Sequence, residues 1–492
     1  MKLYLAGHAD RYAMEQLQLC LFPEEPMEFC ETPFRGDGAV SRLSYGKKYL
    51  TATAKITRRG KVSRAMQRLP LERETHSLRR RILQRAYYLA ALPLLDAAPA
   101  WGALSGVRPT KLTTRHLLAG GTPESADRLL EQTFFVTPAR RKLCVQASLA
   151  SAAAVERLIR SDVSVYIGIP FCPTRCSYCS FVSQTEGRAG TLLTPYLDCL
   201  LREIETVGTG LRRAGLTVRT LYIGGGTPTT LSAQQINLLM QTVERHFDLS
   251  RLIEYTVEAG RPDTVDSEKL RVIRALGANR VSINPQTMND DVLRAVGRPH
   301  SAADVERAYA QAVGAGFSSI NMDLIAGLPG DDPESFSRSL HRVLALDPSN
   351  VTVHTLALKK GADLFARREQ LPPQTAVETM VAHANEVLSA RGYAPYYLYR
   401  QKYMSGSLEN VGWCRDGDMC LYNIYMMEEL TSILALGGGA VSKRMLPDNC
   451  LERQCNPKYP KQYVERIEEV LRAKAVLLDQ LTKDEKAGII KR

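Results

Sequence analysis

The stretch VSVYIGIPFCPTRCSYCSF, residues 163–181, joins a strand-like run to a cysteine-rich turn. Its first seven residues are mostly apolar or β-branched, which is typical of a strand covered on both faces. Cys172, Cys176 and Cys179 follow directly, in the spacing CxxxCxxC. In α/β barrels, residues just after a strand lie on the face that carries the chemistry. The stretch therefore predicts a first barrel strand with a thiolate site at its end.

Beyond residue 162 the chain alternates β-rich runs with longer helical patterns. Repeated strand–helix units predict a parallel sheet with right-handed crossovers. We therefore expect an α/β fold, a partial TIM barrel of about six βα units. The predicted strands are VSVYIGI (163–169), VRTLYIGG (218–225), IEYTVEA (253–259), NRVSIN (279–284), SSINMDLI (318–325) and NVTVHTLAL (350–358).

Length and composition are those of a globular protein with two or three units: 492 residues, 45% apolar and 24% charged. We expect an α+β N-terminal domain at residues 1–160, the barrel at 161–395 and a mixed, substrate-side C-terminal region at 396–492. No run is apolar enough to cross a membrane or to act as a signal peptide. We therefore expect a cytoplasmic protein with reduced thiols.

The charge of the chain is unevenly distributed. The net charge is +12, and residues 1–160 contain 26 basic and 14 acidic residues, so the whole excess lies there. One interpretation is attraction to a polyanion, either nucleic acid or a substrate with several carboxylates. The other is a basic surface that serves only solubility.

The three clustered cysteines indicate a metal or iron–sulfur site. A structural zinc site normally has four ligands, and no fourth Cys or His lies near Cys172, Cys176 and Cys179 in the sequence. Three thiolates suit a 4Fe–4S cluster with one iron left open to a substrate or cofactor. The alternative is three incidental core cysteines. Four further cysteines have spacings that match no standard ligand set, so free cysteine and a second cluster both stay open for Cys414, Cys420, Cys450 and Cys455.

The ends of the later strands carry polar and glycine residues that would meet at the barrel mouth. YIGGGTPT, residues 222–229, ends the second strand, and glycine allows a backbone to approach a ligand or to form a tight turn. Hydrogen-bonding groups end the next strands, and an arginine that can bind a carboxylate in a fork follows them. These residues are Glu258, Gln286, Asp323 and Arg298.

Together these motifs resemble the radical S-adenosylmethionine (radical SAM) superfamily, whose cluster loop is CxxxCxxC with an aromatic residue before the last cysteine. The spacing is similar to that of the oxygen-independent coproporphyrinogen III oxidases, with a tyrosine six residues before the first cysteine. The resemblance implies that Tyr166 and the three cysteines are catalytic, and that the cysteines hold the cluster. It assigns to the cleaved S-adenosylmethionine Tyr166, Tyr178, Gly225 and Glu258. It assigns to a second S-adenosylmethionine Gly226, Thr227, Gln286, Arg298, Asp323 and Ala357.

The resemblance implies a reaction in which a 5′-deoxyadenosyl radical starts the oxidative decarboxylation of two propionates of coproporphyrinogen III. The product is protoporphyrinogen IX, with two vinyl groups. An external low-potential electron donor and an electron acceptor are required. The substrate carries four carboxylates, so basic clamps are expected, and the candidates are Arg108, Lys111, Arg400 and Lys402. The alternative is that these four residues are simply exposed to solvent.

Two other functions stay open from the sequence. One is a haem-trafficking relative that keeps the barrel and cluster but binds haem without oxidase activity. The other is a radical SAM enzyme that acts on RNA through the basic N-terminal region, although no RRM or KH signature is present. The sequence departs from the family in reading GIPFC for HIPFC and EAGRPDT after the third strand.

Overall fold

The computed structural model describes residues 1–23, 25–181, 183–185, 191–359, 361–365, 371–401, 408–447 and 450–486. It divides into two units, Met1–Val145 with a short segment that includes Leu408, and most of the remaining chain from Gln146 onward. The division at residues 160 and 395 stays a prediction. None of the helices described is long and apolar enough to span a bilayer.

The helices and strands are named in chain order. The strands are β1 (Lys2–Ala6), β2 (Glu28–Cys30), β3 (Gly38–Tyr45), β4 (Tyr49–Arg58), β5 (Lys61–Pro70), β6 (Asp162–Ile169), β7 (Phe171–Cys172), β8 (Gln184–Thr185), β9 (Thr217–Gly225), β10 (Glu254–Glu258), β11 (Arg280–Ser282), β12 (Ser319–Ala326), β13 (Asn350–Thr355), β14 (Ala394–Tyr399), β15 (Asn410–Cys414), β16 (Ile433–Leu436), β17 (Val441–Met445) and β18 (Leu451–Cys455). The helices are α1 (Arg11–Leu21), α2 (His76–Ala91), α3 (Thr110–Leu118), α4 (Pro123–Phe134), α5 (Pro138–Glu156), α6 (Leu193–Ala214), α7 (Ala233–His246), α8 (Ser267–Ala275), α9 (Asp290–Ala295), α10 (Ala302–Gly314), α11 (Pro333–Ala345), α12 (Gln374–Ala390), α13 (Leu421–Glu428), α14 (Pro460–Glu465) and α15 (Ile467–Lys486).

The first unit is an α+β domain. Its five-stranded sheet has the order β2-β1-β3-β4-β5, with β1 parallel to β2 and β3, and β3, β4 and β5 antiparallel. Alternate residues of the strands, such as Leu3, Leu43 and Ile56, pack in one core with residues of α1 and α2. This alternation leaves the other side chains of β3–β5 on the opposite face.

The second unit contains the predicted barrel. All six predicted strands are present as β6, β9, β10, β11, β12 and β13, and each is parallel to the next. The crossover helices begin with side-chain caps, such as Ser232 on α7 and Ser301 on α10, which bond backbone N–H groups that the helix leaves unpaired. The prediction of an α/β partial barrel is therefore confirmed.

A seventh parallel strand was not predicted. The short run ILAL forms β16, which pairs with β6 in the register Ile433↔Ser164 to Leu436↔Ile167. Four apolar residues before three glycines give too weak a pattern to separate a strand from a turn. Antiparallel strands extend the sheet at both edges, β15 and β14 beyond β13, and β17 and β18 beyond β16.

A buried carboxylate anchors the loop that follows β16. The side chain of Glu203, on α6, is fully buried. Its Oε2 accepts hydrogen bonds from the Gly437 N–H at 2.8 Å and the Tyr463 hydroxyl at 2.6 Å. Its Oε1 accepts from Asn456 Nδ2 at 2.9 Å. A buried carboxylate is tolerated only when its oxygens are satisfied in this way.

The cation that balances Glu203 comes from α15. Lys474 is equally buried, with Nζ 3.7 Å from Glu203 Oε1. It donates to the Ala435 carbonyl of β16 at 2.7 Å and to Ser442 Oγ of β17 at 2.8 Å. Burial lowers the pKa of Lys474, and the charge of Glu203 opposes that change. The C-terminal helix therefore holds the seventh strand through one charged pair.

We expect Glu203→Ala to lower the free energy of unfolding by about 3–5 kcal/mol, because it leaves Lys474 as an unbalanced buried cation. The matched control is Glu205→Ala on the same helix, where the glutamate is exposed, and it should change stability by less than ~0.5 kcal/mol. Urea unfolding followed by circular dichroism measures both. Equal midpoints for the two variants would contradict the role given to Glu203.

Candidate functional site

The predicted site residues lie at the carboxyl ends of the parallel strands of the second unit. Strand register aligns these ends, since Gly168 pairs with Gly224, and Ile169 with Gly225. Arg298 follows α9 in the chain, but its side chain reaches the carbonyls of Gly260 and Asn284, just beyond β10 and β11. The other predicted residues are Tyr166 in β6, Cys172 in β7, Cys176, Tyr178 and Cys179 in the loop after β7, Gly225 at the end of β9, Gly226 and Thr227 after it, Glu258 at the end of β10, Gln286 after β11, Asp323 in β12 and Ala357 after β13.

The cysteine loop, residues 171–180, is fastened to the later strand ends by hydrogen bonds. Buried Arg261 donates from Nη1 to the Thr174 hydroxyl at 2.8 Å and to its carbonyl at 3.0 Å. The Ser177 N–H donates to the Val296 carbonyl at 3.0 Å, and the Ser177 carbonyl accepts from Leu364 N–H at 2.8 Å. The loop is thus held by the protein itself.

A carboxylate fixes Arg261 in turn. Asp263 accepts two hydrogen bonds from Arg261, at 3.0 and 2.8 Å, in a bidentate ion pair. Burial alone would raise the pKa of Asp263. Contacts with His300 and Arg261 nevertheless hold this pKa well below its usual range. Arg261 and Asp263 belong to EAGRPDT, the segment in which this sequence departs from the family pattern. Sequence reasoning did not single out either residue for this role.

The three thiols lie close enough to influence one another. Burial raises the pKa of the Cys179 thiol, and Cys176 and Cys172 add to that rise. Among the described residues, no three His, Cys, Asp or Glu side chains converge as the ligands of a single metal ion do. The ligands of an iron–sulfur cluster each bind a different iron, so they need not meet at one point. Three thiols without a fourth ligand fit a cluster better than a closed zinc site.

The glycine run that ends β9 allows the protein backbone to pack closely at this point. Gly225 has φ +122°, and a Cβ there would lie 2.9 Å from both the N and the O of Ile169. A Cβ on Gly226 would lie 2.5 Å from the Phe171 carbonyl oxygen and 2.9 Å from Cys172 Sγ. The sequence analysis considered only a ligand or a turn. The structure shows that these glycines let β9 pack directly against the cysteine loop.

Polar groups next to this contact strengthen it. The Gly226 N–H donates to the Ile169 carbonyl at 2.8 Å. Thr227 is buried, with its hydroxyl 3.5 Å from Cys172 Sγ in donor geometry. Thr227 therefore offers its hydroxyl as a hydrogen-bond donor to the sulfur of the first cysteine.

Glu258 receives one hydrogen bond on each carboxyl oxygen. The Tyr222 hydroxyl donates to Oε1 at 2.6 Å and the Gly225 N–H donates to Oε2 at 3.2 Å. Burial raises the pKa of Glu258 to about 7. The charge of Asp323 contributes to this rise, whereas the hydrogen bond from Tyr222 opposes it. A carboxyl group that titrates near neutral pH would change its capacity to accept hydrogen bonds from a ligand within the physiological range.

Three tyrosine rings stack beside Glu258. Tyr166 lies 6.2 Å from both Tyr222 and Tyr422, and the latter two are 4.7 Å apart, measured between ring centroids. Burial raises the pKa of all three hydroxyls, which keeps them neutral. Only Tyr166 was predicted. Tyr222 stands two residues before the glycine run and could have been found there, whereas no sequence signal marks Tyr422.

Arg298 is buried, and its hydrogen bonds connect three parts of the site. It donates to the Tyr178 hydroxyl at 3.1 Å and to the carbonyls of Gly260 and Asn284, both at 2.9 Å. Arg298 therefore joins the cysteine loop to the ends of β10 and β11, and its Nε–H remains as a buried donor without a partner among the described residues.

Gln286 has the backbone conformation and the free acceptor expected at a ligand site. Its φ is +68°, which is strained for a residue with a side chain. Hydrogen bonds in both directions with β12 fix its backbone, from its N–H to the Asp323 carbonyl and from the Ile325 N–H to its own carbonyl. Its Oε1 is buried without a partner among the described residues. A buried polar atom left in this way indicates a ligand group or water.

Asp323 stays ionised in the same region. Burial alone would raise the pKa of Asp323, but the neighbouring His354, Asn321 and Thr352 hold that pKa below its ordinary value. Asn321 Nδ2 donates to Oδ1 at 2.8 Å, and His354 Nε2 lies 3.7 Å from Oδ2. Asp323 can therefore accept further donors, such as hydroxyl groups, at neutral pH.

The predicted basic clamps fall in different places. Arg400 is buried and engaged with other groups, so the solvated alternative is wrong for it. Lys402 lies outside the described residues. Arg108 and Lys111 lie in the first unit, before and within α3, where both are half-buried and engaged.

The four C-terminal cysteines do not gather as the ligands of a single metal ion within the part of the chain that the structure describes. Cys414 and Cys420 are buried, and Cys450 and Cys455 are exposed. Cys420 lies 3.4 Å from Glu254, which also accepts the first N–H groups of α13. All four are free thiols in this structure.

Comparisons with known proteins agree with this geometry. The family model described as the radical SAM superfamily matches residues 166–343. The oxygen-independent coproporphyrinogen-III oxidase-like protein HemZ of Bacillus subtilis is 39% identical over 388 residues, covering 77% of each chain. The haem chaperone HemW of Haemophilus influenzae is 29% identical over 307 residues, which is 61% of this chain and 76% of that protein.

A solved structure also matches. Coproporphyrinogen III oxidase (HemN) from Escherichia coli, whose structure is described as that of a radical SAM enzyme, aligns with a TM-score of 0.51 and 26% identity. The alignment covers 68% of this chain and 78% of that one.

The barrel, the thiol loop and the glycine run define a radical SAM protein, which carries a 4Fe–4S cluster and binds S-adenosylmethionine. Within that superfamily the chain belongs to the group of oxygen-independent coproporphyrinogen III oxidases and their close relatives. The resemblance inferred from the sequence is confirmed.

We expect Gly226→Ala to reduce the iron content of the purified protein and to lower its free energy of unfolding by about 1–3 kcal/mol. The added Cβ would displace the Phe171 carbonyl and Cys172 Sγ. Iron and sulfide analysis after anaerobic reconstitution measures the effect. Gly314→Ala is the control, because a Cβ there meets nothing within 4 Å. Full iron loading of Gly226→Ala would contradict the close packing described here.

If Glu258 binds S-adenosylmethionine as the sequence predicts, the affinity should fall about tenfold from pH ~8 to pH ~6, because protonation removes the charge of Glu258 and one of its acceptors. The folded-state pKa of about 7 puts Glu258 in its carboxylate form at the upper pH and its neutral form at the lower. Calorimetry on the reconstituted protein measures binding. Glu258→Gln should bind more weakly and show a flatter pH dependence, with only the ligand's own titration remaining. Parallel pH profiles for both proteins would refute this role.

Proposed function

We propose that this chain catalyses the oxygen-independent oxidative decarboxylation of coproporphyrinogen III to protoporphyrinogen IX. The proposal depends chiefly on one observation: three thiols, a glycine run and buried unpaired polar atoms occupy successive strand ends of the barrel. Similarity to an oxidase-like relative over 77% of the chain and to a coproporphyrinogen III oxidase structure supports a tetrapyrrole as the substrate.

In this proposal Cys172, Cys176 and Cys179 hold the cluster and leave one iron open. When bound, the cluster and S-adenosylmethionine supply one-electron reduction and a 5′-deoxyadenosyl radical that can remove a hydrogen atom from a propionate. Each propionate then loses carbon dioxide, and one electron passes to an external acceptor, which leaves a vinyl group. The low-potential donor and the acceptor are separate partners.

The first S-adenosylmethionine would be held by Tyr166, Tyr178, Gly225 and Glu258. Glu258 offers acceptors to hydroxyl or ammonium groups. The stacked rings of Tyr166, Tyr222 and Tyr422 form a wall with neutral, buried hydroxyls. Such a wall excludes water, which protects a reactive radical from side reactions.

A second S-adenosylmethionine would be held by the remaining predicted residues. Arg298 Nε and Gln286 Oε1 are buried without a partner among the described residues, and such a ligand would form hydrogen bonds with both. Asp323 adds a carboxylate. The other members of this predicted set are Gly226, Thr227 and Ala357. The bond from Arg298 to Tyr178 joins the two predicted subsites.

A second candidate function is haem trafficking. The relatives include proteins named haem chaperones, and one of them is similar to 61% of this chain. In that case the barrel and cluster would persist, haem would bind, and no vinyl product would form. Both functions predict cluster assembly and S-adenosylmethionine binding, so only the fate of the tetrapyrrole separates them.

The test is anaerobic incubation of the reconstituted protein with reductant, S-adenosylmethionine, an electron acceptor and coproporphyrinogen III. We expect tetrapyrroles that have lost one and then two carboxyl groups, seen by mass spectrometry, together with 5′-deoxyadenosine. Cys176→Ala should abolish iron binding and product, whereas Cys450→Ala, at an exposed thiol, should retain both. Unchanged substrate with full S-adenosylmethionine cleavage and tight haem binding would support the chaperone function instead.

A further inference from the structure

The five-stranded sheet of the first unit has one face that α1 and α2 do not cover. Strand register arranges its side chains in rows across β1, β3, β4 and β5. One row contains Tyr4, Val40, Lys55 and Arg64, since Tyr4 pairs with Val40, Val40 with Lys55, and Lys55 with Arg64. The next row contains Arg42, Thr53 and Met66. Side chains of adjacent rows lie on the same face because strand residues alternate with a period of two.

Three cations are concentrated where these rows meet. Lys55 and Arg64 are directly opposite each other, with Cβ atoms about 5 Å apart, and Arg42 is diagonal to Lys55 at roughly 7–8 Å. All three are exposed. Among the residues that the structure describes, no carboxylate forms an ion pair with any of them. Like charges opposite each other destabilise a sheet, so an anion at this place would relieve that repulsion.

The same rows form a shallow apolar concavity. It encloses about 550 Å³ and is lined by the three cations and by Tyr4, Pro33, Val40, Ala65 and Met66 among others. Met66 is 50% exposed, which is unusual for a large apolar side chain. An apolar floor with cations at its rim fits a ligand with an apolar body and several anionic groups.

We propose that this concavity, the β3–β5 basin, binds the carboxylates and apolar ring of a tetrapyrrole such as coproporphyrinogen. The identity of the ligand rests on the proposed function, whereas the cations and the floor are independent of it. Ring carbons would cover Met66 and Val40, and two or three propionates would pair with Arg42, Lys55 and Arg64. The basin would serve as a second tetrapyrrole site, carried by the basic first unit.

Single-stranded nucleic acid fits this face less well. Such binding needs a basic track along the backbone and several aromatic rings on which bases stack. The two rows contain one aromatic residue, Tyr4, and their cations lie in one cluster rather than along a line. Nucleic acid binding is therefore an outcome that the experiment must be able to detect.

The test uses the full chain and coproporphyrin III, a fluorescent oxidised form with the same four carboxylates. Binding is titrated by fluorescence anisotropy, and stoichiometry by calorimetry. The double variant Lys55→Ala/Arg64→Ala removes two rim cations. The matched control is Lys61→Ala/Arg68→Ala, with the same charge change on the same sheet but outside the basin lining. We expect the wild-type chain to bind two coproporphyrin molecules, one of them in the basin. The affinity of the basin should fall about tenfold or more in the double variant and stay unchanged in the control.

The outcomes separate this inference from the proposed function. If porphyrinogen turnover is absent but the double variant still loses a binding site that the control keeps, the basin is supported and the oxidase function is not. If turnover is present and both variants bind coproporphyrin like the wild type, the basin is refuted. Salt-dependent binding of an oligouridine lost in the double variant, without coproporphyrin binding, would also refute it and would assign the face to nucleic acid.

Discussion

The site depends on the close contact between two backbones: the glycine run that ends β9 and the cysteine loop that follows β6. Any Cβ at Gly225 or Gly226 would enter the space of Ile169, Phe171 or Cys172. Because the contact is made by backbone, it leaves little freedom in the position of the first cysteine. Protein interiors are close-packed and do not deform easily, so this contact sets the distance between the thiols and the strand ends that would hold the cofactor. Arg261 and Arg298 then tie the rest of the loop to β10 and β11.

Much of this architecture could be predicted from the sequence. The six strands from VSVYIGI to NVTVHTLAL are long, rich in β-branched residues and separated by helical patterns, so local signals agree with the fold. The three cysteines were equally clear, because their spacing and their position after a strand gave independent support. The positions of Glu258 and Asp323 followed from the rule that parallel strands end at one edge.

Other features depend on contacts between distant parts of the chain, which no local pattern contains. Tyr422 completes the aromatic stack from a helix more than two hundred residues after Tyr166, and nothing in its neighbourhood distinguishes it. β16 is four residues long and becomes a strand only because β6 offers an edge. Arg261 and Asp263 formed part of a departure from the family pattern and proved to be a brace for the cysteine loop. Tertiary contacts, rather than propensity, decide such residues.

The pairing of β16 with β6 affects how this fold can be made. The first strand of the second unit, β6, has a neighbour that is synthesised near the end of that unit, so one edge of β6 stays open while the other barrel strands are made. Pairings so distant in sequence close slowly, and an open strand edge is a template for wrong pairing. The edge of β6 is fully secured only when α15 has been made, because that helix carries Lys474, which bonds to β16 and β17.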